Sequence, residues 1–116
     1  MPDCCSRRLC DDVLARISRF TDYASGVAGV DFVIEAVSEN LDLKKSIWAE
    51  IEQAAPDDAI LATNTSGLSP TEIQSALKKS ERFVVAHFWN PAQLMPLVEV
   101  VPGEKTDPHV VDVTFD

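Results

Sequence analysis

His87 and Glu99 are residue types from which a base can be built, and their surroundings set them apart. His87 closes the apolar run Phe83-Val84-Val85-Ala86, the pattern of a strand buried on both faces. Glu99 stands twelve positions downstream, inside a second β-branched run, Leu97-Val98-Glu99-Val100-Val101. Isolated charges are rarely buried without a partner, so a carboxylate among aliphatic residues calls for one. Asn90-Pro91 breaks the chain direction between the two runs, which makes them neighbouring strands with His87 at a strand end. A carboxylate hydrogen-bonded to one imidazole nitrogen fixes the tautomer and leaves the other nitrogen as a base. Blander readings stand beside this one: His87 as a structural strand-end residue, and Glu99 as a charge on an exposed edge.

The elements that must position these residues alternate along the chain. Asp31 to Val37 predicts a strand. Leu43, Ile47 and Ile51 recur every four residues and, with Trp48, predict a helix over Glu39 to Ala55 whose apolar stripe faces a core. Ala59 to Ala62 predicts a second buried strand that runs into the polar turn Thr63-Asn64-Thr65-Ser66. Ser69 as cap, Pro70 at the first helical position and Glu72 as capping-box acid open another helix, with Ile73, Ala76 and Leu77 inward. The His87 and Glu99 strands follow, and Thr106-Asp107-Pro108 begins a last helix. Upstream, Asp22 caps a short helix through Ala28 that Gly29 ends, Asp11 to Ile17 reads as helical turns, and residues 1–10 read as a disordered tail. This order predicts an α/β fold with a largely parallel sheet and crossover helices. In such sheets ligands gather beyond the carboxyl ends of the strands. Those ends carry Ala36-Val37-Ser38-Glu39, Thr63-Asn64-Thr65-Ser66 and His87-Phe88-Trp89-Asn90.

The 116 residues, 46% of them hydrophobic, suit one domain. A net charge of −9 argues against nucleic acid or an anionic membrane as the main partner. It leaves room for an anionic cofactor, which backbone N–H groups can bind. Cys4, Cys5 and Cys10 have no His or further Cys at a spacing that completes a zinc site, so no metal is expected and free thiols are. No run of 18 apolar residues and no charged-then-apolar leader is present, and a cytoplasmic protein is the expectation.

The turn Asn64-Thr65-Ser66-Gly67, then His87-Phe88-Trp89-Asn90-Pro91, then Leu94-Met95-Pro96-Leu97-Val98-Glu99-Val100 closely resemble the L-3-hydroxyacyl-CoA dehydrogenase family in motif order and spacing, over about Asp22 to Pro108. The resemblance implies NAD as cofactor, an acyl-CoA substrate and oxidation of a 3-hydroxyacyl-CoA to the 3-ketoacyl-CoA. It assigns His87 as base and Glu99 as its orienting partner. It places Ser66 near substrate and cofactor, Asn90 near the cofactor, and Glu39, Lys44 and Ala36 on the NAD side. Glu39 and Lys44 have a plainer alternative, a stabilising pair on a solvated helix face.

The resemblance also implies what this stretch lacks. None of Gly26, Gly29, Gly67 and Gly103 builds the G-x-G-x-x-G turn of a dinucleotide site. Residues 11–116 are therefore expected to form an incomplete, partial Rossmann-like NAD-binding domain, without the first βαβ unit and the helical C-terminal domain. In the family that second domain gives the dimer interface, so the intact protein is expected to be a homo-oligomer. Unpaired sheet edges and an exposed apolar face are expected where the other strands belong. Gly67 replaces a family Ser, and Pro96 occupies a position often held by Lys, which bears on acyl or CoA preference. Other readings are a related sugar-acid or carnitine dehydrogenase, or a non-catalytic remnant that associates through its open edge.

Overall fold

The computed structural model describes residues 7–116. Helices α1 (Arg7–Leu14) and α2 (Tyr23–Val27) precede strand β1 (Phe32–Glu35) and the long helix α3 (Leu41–Ala54). Strand β2 (Ile60–Thr63), helix α4 (Pro70–Gln74), a 3-10 turn (Ser80–Arg82), strand β3 (Phe83–Phe88), strand β4 (Val98–Pro102) and helix α5 (Pro108–Phe115) follow. The sheet order is β1-β2-β3-β4; β1, β2 and β3 run parallel, and β4 returns antiparallel to β3. This is the expected partial Rossmann-like, largely parallel α/β arrangement.

Local chemistry explains the element ends. Asp22 caps α2 by accepting from the Ser25 N–H at 2.8 Å, and Gly29 takes the positive φ of 76° that ends this region. Ser69 caps α4 through the Glu72 N–H, with Pro70 in the first turn. Several boundaries differ from the sequence expectation. Strand β1 is shorter than Asp31 to Val37, α1 ends at Leu14 rather than Ile17, and α4 ends at Gln74, before Ala76 and Leu77. Arg7–Cys10 are helical within α1, so the helix starts before Asp11; the rest of the expected tail lies outside the described residues. Helix α3 begins at Leu41 because Asn40, not Glu39, is its cap, its side chain accepting from the Leu43 N–H at 3.0 Å.

Strict alternation sorts the strands between two cores. Leu61 and Phe83 face α3 and α4, where Ile47, Trp48, Ile51, Ile73 and Leu77 are buried, and Trp48 meets the Phe83 ring edge-on at 5.5 Å. Ile60, Ala62, Val84 and Ala86 face the other way, against Val110 of α5. Helix α5 covers the β3–β4 half of that second face, and Phe32 and Ile34 of β1 stay 41% and 49% exposed. The apolar stripe of α3 is also corrected. Leu43 is 41% exposed, and Lys44 at 1% takes the inward position beside Ile47, Trp48 and Ile51. No helix among the described residues is long and apolar enough to cross a membrane.

Candidate functional site

Sheet register brings the polar strand ends onto one face. Glu35 of β1 lies beside Thr63 of β2, Thr63 beside Val85 of β3, and Val85 beside Val101 of β4. One pleat further along β3, His87 lies directly opposite Glu99. Side chains two apart share a face, so Glu35, Thr63, Val85, His87, Glu99 and Val101 all project toward the side of the sheet on which α3 and α4 pack.

The His87–Glu99 pair is open. Nδ1 of His87 stands 3.7 Å from the Glu99 carboxylate, with the two side chains 20% and 50% exposed. Nδ1 is itself buried without a hydrogen-bond partner, and the Glu99 carboxylate stands at that distance from it. Trp89 packs edge-on against the imidazole, ring centroids 5.6 Å apart. A cleft of about 130 Å³ joins His87 and Glu99 to Thr65, Ser66 and Leu68.

The second strand end is bound up tightly. Glu35 is buried, and its carboxylate accepts from Lys44 Nζ at 2.7 Å, the Thr63 hydroxyl at 2.6 Å and the Val37 N–H at 2.7 Å. Lys44 also donates to the Val37 carbonyl and reaches Glu39 at 3.8 Å. Glu39 in turn accepts from the Thr65 hydroxyl at 2.5 Å, the Ser66 N–H at 3.1 Å and the Ser66 hydroxyl at 3.3 Å. The Thr65 hydroxyl, then the Ser66 N–H, the Lys44 ammonium and the Ser66 hydroxyl, hold the Glu39 carboxyl below the usual glutamate range against partial desolvation. The solvated helix-face pair between Glu39 and Lys44 is therefore not what forms. Lys44 is interior, and its first partner is Glu35.

Of the other expected site residues, Ser66 reaches the His87 cleft, whereas Asn90 is exposed and outside that lining, next to a cis peptide to Pro91. Ala36 lines a separate groove of about 350 Å³ with Val33, Val37 and Tyr23 along the open side of β1. Asn64 ties two strand ends together, its side-chain oxygen accepting from the Phe88 N–H at 3.3 Å. Sequence reasoning passed over Glu35 and named Thr63 only as part of the polar turn, with no role of its own. The signal was there: one acid inside Phe32-Val33-Ile34-Glu35-Ala36-Val37, and one lysine in register with the buried stripe of α3.

The exposed polar groups at these strand ends are hydroxyl, amide and carboxylate groups. They fit the hydroxyls of a ribose and the carboxamide of a nicotinamide; the sequence holds no glycine-rich turn to take a pyrophosphate. Among the described residues no three His, Cys, Asp or Glu side chains gather as a metal site, and Cys10 is an exposed free thiol.

Residues 4–116 match the family model of the 3-hydroxyacyl-CoA dehydrogenase NAD-binding domain. The chain is 50% identical over 91 residues to an L-carnitine dehydrogenase of Mesorhizobium japonicum, which covers 78% of this chain and 25% of that protein. It is 51% identical over 87 residues to the fatty acid oxidation complex subunit alpha of Ectopseudomonas oleovorans, covering 75% of this chain and 12% of the relative. Its fold superposes on 3-hydroxybutyryl-CoA dehydrogenase from Escherichia coli with a TM-score of 0.89 and 40% identity, over 94% of this chain and 23% of that one. The chain thus spans a quarter or less of the length of these relatives.

Proposed function

The chain belongs to the 3-hydroxyacyl-CoA dehydrogenase family, as part of its NAD-binding domain, and from that premise we propose that the whole protein oxidises a 3-hydroxyacyl-CoA to the 3-ketoacyl-CoA. The carrying observation is the cross-strand placement of His87 and Glu99 in one cleft with Ser66. In this reading the Nδ1–H of His87 points at Glu99, and Nε2 takes the proton of the substrate hydroxyl. As the O–H bond breaks, the carbinol carbon loses its hydride and its C–O bond becomes a carbonyl. NAD+, when bound, supplies the acceptor for that hydride. Glu99 stabilises the imidazolium that results. The 3.7 Å separation is longer than a hydrogen bond and is expected to close when substrate fills the cleft. Ser66 and Asn90 donate to the substrate oxygen or the nicotinamide carboxamide. Glu39 and Ala36 lie on the cofactor side, and Lys44 acts there through Glu39.

The bare Phe32 and Ile34 side chains and the unpaired edge of β1 fit a piece of a larger domain, to be covered by the further length that the relatives carry. Homo-oligomeric assembly and a cytoplasmic setting belong to the same proposal. A second reading keeps the reaction and changes the substrate to a small 3-hydroxy acid bearing a quaternary ammonium. It is supported by the half-exposed Trp89 ring beside His87, by Glu99 in the cleft lining, and by the carnitine dehydrogenase relative.

The test is NADH oxidation by the whole protein with acetoacetyl-CoA, beside NAD+ reduction with L-carnitine. Replacing the base is expected to cost about 10²–10⁴ in kcat, so His87→Ala should be nearly silent with native unfolding behaviour. Full turnover in that variant would remove His87 from the mechanism, and turnover with carnitine alone would select the second substrate class.

A further inference from the structure

We infer that Glu35 is a positioning residue for the Thr63–Ser66 turn and, through it, for Ser66 in the His87 cleft; the inference rests on the dehydrogenase reading only for its effect on turnover. Glu35 holds this turn by two routes. The direct route is short: the Thr63 hydroxyl donates to Glu35 Oε2 at 2.6 Å, and the Asn64 N–H donates to the Glu35 carbonyl at 2.8 Å. The second runs through charge. Glu35 Oε1 holds Lys44 Nζ at 2.7 Å, Lys44 stands 3.8 Å from Glu39, and Glu39 carries Thr65 and Ser66 on its two oxygens. The first route holds Thr63 and Asn64 and the second Thr65 and Ser66, so together they span the four residues of the turn.

Burial gives the arrangement its leverage. The Glu35 and Lys44 side chains are each 2% exposed, so neither charge can be met by water. While Glu35 balances Lys44, Glu39 remains free to bind Thr65 and Ser66. Without the Glu35 charge, the buried ammonium has Glu39 as its nearest carboxylate and draws it inward, off the Ser66 N–H. The turn then loses its Thr63 tether and its Ser66 clamp together. The sequence arrangement agrees: Glu35 ends β1, Lys44 lies one turn into α3, and Thr63 ends β2, so three separate elements meet at one buried carboxylate.

Glu35→Gln tests this against Glu39→Gln in the whole protein, with backbone amide hydrogen exchange as the primary readout. Exchange at Ser66 should accelerate in Glu35→Gln to the rate seen in Glu39→Gln, while the strand amides of Leu61 and Val84 keep their protection. Unchanged protection at Ser66 overturns the inference. Loss of protection at Leu61 and Val84 as well also overturns it, because Glu35 would then only support the fold. If Glu35→Gln fails to fold, Glu35→Asp keeps the buried charge and shortens its reach. The same selective acceleration at Ser66 is expected there, and no change overturns the inference. For turnover, kcat with acetoacetyl-CoA and NADH should fall by about ten- to a hundredfold in Glu35→Gln, the scale of a small misplacement. The Glu35→Gln/Glu39→Gln double variant should lose less than the sum of the two single losses, whereas fully additive losses count against a shared route. A parent protein without this turnover overturns the dehydrogenase reading and leaves the exchange result to decide the role of Glu35.

Discussion

Two carboxylate pairs, one with a lysine and one with a histidine, sit on the same face of the sheet, and they are built to opposite specifications. Glu35 and Lys44 meet at 2.7 Å with both side chains 2% exposed, and Glu35 is further satisfied by Thr63 and Val37. His87 and Glu99 stand 3.7 Å apart, 20% and 50% exposed, and Nδ1 lacks a hydrogen bond. A saturated buried pair has no bonding capacity left for a ligand; what it supplies is position. A loose pair at the rim of a cleft retains a ring nitrogen without a hydrogen bond and room for its partner to move, which suits proton exchange with a substrate. The interior pair is structural in its chemistry, and the rim pair is the candidate for reaction.

Removing one charge from each pair should separate them most sharply. In Lys44→Met the Glu35 carboxylate is left buried without its counter-ion, and a loss of about 3–5 kcal/mol is expected in urea unfolding of the whole protein. A loss below about 1 kcal/mol, the range of exposed pairs, would mean that the interior pair is wetter than its burial implies. Glu99→Gln is the matching change at the rim. Stability should move by under about 1 kcal/mol because Glu99 is half-exposed. Turnover should fall by about ten- to a hundredfold, or roughly 1.4–2.7 kcal/mol in barrier, as the imidazolium loses its stabilising charge. Equal kcat in Glu99→Gln and the parent would break the comparison, leaving His87 without an orienting partner.

The rim pair was legible in the sequence and the interior pair was not. His87 at the end of an apolar run and Glu99 within another are each conspicuous, and a turn between adjacent strands gives the antiparallel register that faces them. Glu35 and Lys44 come together only when the β1–α3 crossover folds α3 back over the sheet. Recurrence every four residues pointed to Leu43, Ile47 and Ile51, widened by Trp48, as one stripe, but the buried face is Lys44, Ile47, Trp48 and Ile51, with Leu43 turned out. A lysine reads as solvated in isolation, and only a buried acid on another element makes it an interior residue. Glu39 was misplaced for a related reason. Asn40 is the better cap, so Glu39 falls outside the helix, where its carboxylate reaches across to Thr65 and Ser66.

Glu39 lies between the two pairs and gives the smallest effect, one that separates them by pH. Its carboxyl is held below the usual value of 4.5, chiefly by the Thr65 hydroxyl. A depressed native value means that the unfolded chain binds the proton first as pH falls. Its contribution is therefore complete above about pH 4.5, where the unfolded group is ionised, and is lost as pH drops through the lower native value. Because the side chain is 44% exposed, that contribution should not exceed about 1 kcal/mol. Unfolding of the parent and of Glu39→Gln, followed from pH 7 to pH 3, should show a small gap at neutral pH that narrows below pH 4.5. The Ser66 amide should lose protection, relative to its intrinsic exchange rate at each pH, over the same acidic range, since protonating Glu39 weakens the acceptor that holds it. A gap that persists unchanged to pH 3 would mean that the turn is held by the neutral hydrogen-bonding shape of Glu39 rather than by its charge. The route from Lys44 to Ser66 would then be steric, and the line between the buried and the open pair would have to be drawn through packing alone.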